Sequence, residues 1–180
     1  MIHEKGMLVK RGSMIKYCKG MFLIEAKGRS WLEYRKASIH DINMLVELRK
    51  KQLADEGMDQ NIDIDSELFL FFKNKLDDGS LIQWLAEDKG KVIACGAVII
   101  YDFPPSYVNK TGKRAYIANM YTNKQYRGQG IATKLLTRLV EEVKASGISK
   151  IWLGASEMGR PVYKKFGFRE TDEYLELDII

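Results

Sequence analysis

The chain has 180 residues, 46% of them hydrophobic and 11% aromatic, which suits one domain with one real core. No apolar run approaches the ~20 residues a bilayer span needs, and Met21-Phe22-Leu23-Ile24 is too short even for a signal-peptide core. The formal charge of +5 divides unevenly: residues 1–36 carry nine Lys/Arg against three Glu, and the remaining 144 carry 20 against 21 acids.

A soluble, cytoplasmic protein with no membrane partner is therefore expected. Residues 1–30 read as a basic N-terminal extension and 31–180 as the working domain. The body is not basic, so no nucleic-acid partner is expected. Met14 and Met21 would permit a later start. Cys18 and Cys95 lie far apart and read as small apolar residues. Two scattered cysteines and two scattered histidines make no ordinary zinc site, so no metal is expected.

In chain order, Trp31–Arg35 alternates as a first strand. Ser38 with Asp41 three residues later resembles a capping box, with Asp in place of Glu or Gln. Ile42, Leu45, Val46 and Leu53 then give a helical stripe that stops near Gly57. The acidic connection ADEGMDQNIDID leads to a second helix carrying Leu68, Leu70, Phe71 and Phe72. Strands at Leu81–Ala86 and Lys91–Tyr101 are joined by Glu87-Asp88-Lys89-Gly90. Asp102–Arg114, with two prolines and a glycine, is a loop, and Ala115–Thr122 is another strand. From Gly130 the apolar period becomes helical, through Ile131, Leu135, Leu136, Leu139, Val140 and Val143, until Gly147. Ile151–Leu153 is a short strand, Pro161 opens a compact helix that closes at Gly167, and Tyr174–Ile179 is a last strand. The fold class is mixed α/β, a mostly antiparallel sheet with one parallel βαβ crossover around residues 115–155.

Gln125–Ala132, QYRGQGIA, stands where a strand ends and the long helix begins. Such a corner offers unpaired backbone N–H groups at the positive end of a helix, a place that receives phosphate. Glycine serves where the backbone must approach the anion or take dihedrals a side chain forbids. Arg127 or Lys134 would add charge. The triphosphate loop G-x-x-x-x-G-K-[ST] does not fit, and the dinucleotide fingerprint fails at Thr133.

Q-x-x-G-x-G-[IV]-A after a strand does fit, and it resembles the acetyl-coenzyme A signature of the GCN5-related N-acetyltransferase (GNAT) superfamily. Asn119-Met120-Tyr121-Thr122 resembles that family's fourth strand, and Tyr163-Lys164-Lys165-Phe166-Gly167-Phe168 its closing Y-x-x-x-G-F. The resemblance spans roughly 31–180. It implies the GNAT fold, with fourth and fifth strands splayed apart, and acetyl-CoA as the co-substrate. Backbone amides from Arg127 through Gly128, Gln129, Gly130 and Ile131 to Ala132, with Thr133 nearby, would grip the pyrophosphate, and Gln125 opens the loop. The pantetheine arm would lie along Met120, Tyr121 and Thr122 as a borrowed strand. The Met120 amide would polarise the thioester carbonyl, Ser156 would touch the coenzyme, and Tyr163 would protonate the departing thiolate.

The implied reaction is direct acetyl transfer to a primary amine of a small molecule or peptide. Many relatives carry a Glu just before the strand Asn, where this chain has Ala118. Asn119, or Tyr116 through a water, would organise a proton path instead; Glu33 and Glu157 are further candidates, and His40 reads as a surface residue. Asp55, Glu56, Asp59, Asp63 and Asp65 would attract a cationic acceptor, and aromatics of the Phe103–Tyr107 loop would line the opposite wall. The missing strand glutamate also leaves open a non-catalytic acyl-CoA sensor. Relatives commonly form homodimers.

Overall fold

The computed structural model describes residues 32–173 and 175–179. The basic segment 1–30, with Cys18, lies outside them. The strand expected from Trp31 forms as β1, Glu33–Lys36. A single 3-10 turn, Ile39–Asp41, then leads into α1, Ile42–Asp55. The capping box is real but sits on that turn: Ser38 Oγ accepts from the His40 amide at 3.3 Å, and Asp41 Oδ2 accepts from the Ser38 amide at 2.7 Å. Arg35 clamps the same carboxylate with two hydrogen bonds of 2.8 and 2.9 Å and reaches Glu87 at 2.7 Å. The guanidinium hydrogen bond holds the Asp41 carboxyl at about 2, below its ordinary value.

Helix α2 is Asp65–Asp77, β2 is Leu81–Asp88 and β3 is Lys91–Asp102. The β2–β3 turn places Lys89 and Gly90 at φ 52° and 75°, the left-handed pair that a two-residue hairpin requires. Strand β4 is Lys113–Thr122, α3 is Ile131–Ala145, β5 is Ile151–Trp152 and α4 is Arg160–Phe166. The sheet runs in sequence order, β1 to β5. The first three pairings are antiparallel and β4–β5 is parallel, so the α/β class and the single crossover stand.

The helices cover both faces of the sheet. Leu45 and Leu48 of α1 and Phe72 of α2 pack on Leu85, Cys95 and Ala97. On the other face Leu136, Leu139 and Val143 of α3 pack on Val98, Ala115 and Ile117. Each fully buried leucine contributes roughly 1.5–3 kcal/mol through the apolar area it removes from water. Cys95 is wholly buried, and burial pushes its thiol up to about 12, an inert apolar residue as expected.

One expected element does not form. Among the described residues, 175–179 belong to no strand, and Leu175, Leu177 and Ile179 are 101%, 82% and 91% exposed. Their alternation with Glu176 and Asp178 suits a strand, but alternation selects a face and not a partner. No described helix is long and apolar enough to cross a membrane.

Candidate active site

The site begins with a fault in β4. Pairing to β5 ends after Ala115↔Ile151 and Tyr116↔Trp152, so beyond Tyr116 this edge of β4 is open among the described residues. Its other edge carries a bulge. Cys95 pairs with Tyr121 and Ala97 with Ala118, so Gly96 alone faces both Asn119 and Met120. The alternation reverses across it: Ala115 and Ile117 pack with α3, whereas Tyr121 packs with α1 and α2. Asn119 takes φ 51°, a left-handed conformation that Asn tolerates better than most residues. Its carbonyl accepts from Cys95 Sγ at 3.3 Å, and its Nδ2 is buried with no partner. A Cβ on Gly96 would overlap Met120 Sδ and come within 3.2 Å of Leu139, so any larger residue opposite the bulge must displace the Met120 side chain.

The open edge lies in a cavity of about 890 Å³ lined by Asn119, Met120, Tyr121 and Thr122. Its mouth is the glycine corner. Gly128 and Gly130 stand at φ 75° and 77°, and a Cβ at either would meet nothing within 4 Å, so both are required for conformation and not for space. Gly130 is the N-cap of α3, and no side chain caps that helix; its first amides keep the freedom a ligand oxygen would use. Ile131, Ala132 and Thr133 line the cavity beside Gly128 and Gly130. Gln125 and Gln129 do not: Gln125 takes Asn123 Oδ1 on its amide, and Gln129 Nε2 donates to the Gln125 carbonyl. Nor does Lys134 reach the lining.

Arg127 lines the cavity, but its guanidinium is committed. Nε donates to the Thr122 carbonyl at 2.9 Å and Nη2 pairs with Asp55, which Lys124 also reaches at 3.0 Å. These cations, Lys124 first, hold the Asp55 carboxyl below its ordinary value. The arrangement ties the end of α1 to the loop before α3. Arg127 therefore braces the glycine corner instead of standing free as a charge.

On the far wall, α4 presents Tyr163. Burial first, then the charge of Glu56 and the neighbouring Tyr116, push its phenol up to about 12. Its ring meets Phe168 edge-on at 5.9 Å. Ser156 lines the cavity near it, with Oγ accepting from the Gly159 amide at 3.2 Å. Tyr116 is held by its hydroxyl, which accepts from the Gly154 amide at 3.2 Å.

The acidic connection scatters. Asp59 binds Asn61, Asp63 caps the Asp65 amide, and Asp65 pairs with Lys50, all away from the cavity. Only Asp55 and Glu56 line it. Glu33, Glu157 and His40 do not line it, nor do Phe103 and Tyr107: Arg114 stacks on Phe103 at 3.7 Å, and Tyr107 is fully exposed. Sequence reasoning missed the α1 wall. Leu45, Arg49, Gln52 and Glu56 follow one another at spacings of 4, 3 and 4, so three polar residues extend a buried stripe, and the last three line the cavity. That polar continuation was the signal available.

A splayed β4, its bulge and a left-handed glycine corner are together the architecture expected of an acetyltransferase of this superfamily. The chain belongs to the Acetyltransferase (GNAT) family, which matches residues 42–168. It is similar to a predicted acetyltransferase from Clostridium acetobutylicum solved with acetyl-CoA, at 55% identity, a TM-score of 0.80, and coverage of 82% of this chain and 96% of that one. It is also similar to a glucosamine 6-phosphate N-acetyltransferase of Trypanosoma brucei brucei, 27% identical over 50% of this chain and 59% of the relative. A thialysine N-epsilon-acetyltransferase of Mus musculus is 31% identical over 37% of this chain and 41% of its own length. The chain thus spans about half the length of the curated relatives it matches.

Proposed function

We propose that the protein transfers an acetyl group directly from acetyl-CoA to a primary amine. One observation carries the reading: a single cavity holds the open edge of β4, the uncapped start of α3 and Tyr163. The residues fit the donor. The amides from Gly128 to Thr133 would take its pyrophosphate, and the unpaired β4 edge from Met120 to Thr122 would take its amide-bearing arm as an added strand. The bulge frees a stretch of β4 from the ladder, and the Met120 amide there would receive the charge developing on the thioester oxygen. Kinship with N-acetyltransferases and with a protein solved with acetyl-CoA supports the same donor and reaction type.

Protons set the chemical demand. An alkyl ammonium near 10.4 costs roughly 4–5 kcal/mol to deprotonate at neutral pH, whereas a thiolate near 8.5 needs only ~2 kcal/mol of help in leaving. Glu56 is the carboxylate of the lining with no cation partner among the described residues, and it takes the amine proton directly or through water. The nitrogen lone pair forms the N–C bond, the C–S pair leaves with sulfur, and the second nitrogen proton passes to the departing thiolate, directly or through water. A phenol at about 12 is a weaker acid than the thiol, so full transfer from resting Tyr163 is uphill. Tyr163 therefore acts by donating a hydrogen bond that strengthens as sulfur gains charge.

An acetyl-transfer screen over diamines, aminoglycosides, amino acids, amino sugars and peptide N-termini tests the reading, with thiol release as readout. Release with at least one amine is expected. Acetyl-CoA binding without release from any of them would instead favour an acyl-CoA sensor, the reading that Ala118 leaves open.

A further inference from the structure

On the α1 wall, two full charges face the cavity without a counter-charge. Arg49 is half-buried and lines it, yet it makes no ion pair or hydrogen bond with any described residue. Glu56 accepts only from Gln52 Nε2, at 3.1 Å, and its charge is felt by Tyr163 across the cavity. The remaining cation of the lining without an ion pair, Lys165, is exposed on α4.

Two buried polar atoms of residues that line the same cavity have no partner among the described residues. Gln52 Oε1 is an acceptor lacking a donor, and Asn119 Nδ2 is a donor lacking an acceptor; Asn119 is only 8% exposed. Buried polar groups are nearly always satisfied; the two orphaned amide atoms and the half-buried, unpaired Arg49, with the exposed Glu56 beside them, leave this wall open to a ligand that satisfies them. Arg49, Gln52 and Glu56 lie on one face of the helix, and seven residues separate its ends by about 10 Å.

We propose that the acceptor is a zwitterion, its ammonium held by Glu56 and Gln52 Oε1 and an anionic group, carboxylate or phosphate, held by Arg49 several bonds away. The proposal rests on the acetyltransferase reading for its reaction but not for its recognition. A polycation would leave Arg49 unmatched and repelled; a simple monoamine would leave it desolvated for nothing. Arg49 thus binds the anionic end of the substrate, while Glu56 holds the ammonium whose proton it takes.

Matched pairs of probes test this: 6-aminohexanoate against hexylamine, and glucosamine 6-phosphate against glucosamine. Each is measured by acetyl transfer and by calorimetry on protein saturated with coenzyme A. The anionic member of at least one pair should win by tenfold or more, and the better pair tells carboxylate from phosphate. Arg49→Gln should bring that ratio near one, chiefly through KM, and Arg49→Lys should restore part of it. Glu56→Gln should weaken both members of a pair alike. Retained acetyl-CoA binding checks that each variant folds. Equal binding of both members in each pair, or a ratio unmoved by Arg49→Gln, overturns the zwitterion assignment and leaves the acetyltransferase reading intact. If acetyl-CoA binds but no amine releases thiol, the reaction reading fails, while the calorimetric ratio still decides the recognition.

Discussion

The two walls of the cavity are built from different materials. The proposed donor side is main chain: left-handed Gly128 and Gly130, the uncapped amides of α3 and the open edge of β4. The proposed acceptor side is side chain: Arg49 and Gln52 of α1 and Glu56 at its C-cap. A backbone site recognises groups common to every molecule of a class and is insensitive to most substitutions, provided its dihedrals survive. A side-chain site can be rewritten one residue at a time without disturbing the fold. On the proposed reading, one cavity would set the donor by conformation and the acceptor by composition.

That contrast breaks most sharply at the glycines. Gly130→Val forces a β-branched residue to φ near 77°, at about 1–3 kcal/mol of strain, and acetyl-CoA affinity should fall at least tenfold by calorimetry while the far-UV spectrum holds. Near-wild-type affinity would mean that the corner does not bind the donor through its backbone. Tyr163→Phe keeps the ring on Phe168 and removes only the hydroxyl. Turnover should drop about tenfold to thirtyfold, the equivalent of ~2 kcal/mol, with acetyl-CoA affinity within twofold; equal losses in both would make the residue packing alone.

Gly96→Ala probes the bulge. The added methyl must displace Met120, and kcat should fall a few-fold with KM for acetyl-CoA little changed. Last is a residue remote from both walls. The lowered Asp41 carboxyl contributes stability that is present above its ordinary value of 3.8 and is lost as pH falls through about 2. Its side chain is partly exposed, so Asp41→Asn should cost about 1 kcal/mol at pH 7 and less at pH 2 in urea titrations, leaving catalysis unaffected.

The donor side was legible because backbone requirements leave marks in composition. Two glycines around Gln129 announce left-handed dihedrals, and an Asn ahead of Met-Tyr-Thr suits the left-handed bulge position. The capping box at Ser38–Asp41 was equally local. Roles that depend on which side chains meet were not legible. Arg127 looked like a free cation until Asp55, 72 residues away, claimed it. Five carboxylates looked like one cluster until the chain dispersed all but Asp55 and Glu56. The Phe103–Tyr107 loop, expected on the far wall, turns away.

The sequence by itself determined the succession of strands and helices up to α4, both helix-face stripes and the left-handed glycine corner, because these depend on residues within a few positions of one another. Only the tertiary structure decided where β4 parts from β5, that Glu56 and Tyr163 line one cavity, and that Leu175–Ile179 finds no strand beside it among the described residues. Pairing and charge compensation are contests among distant segments, and their outcome is set by which partners folding brings within a few ångströms.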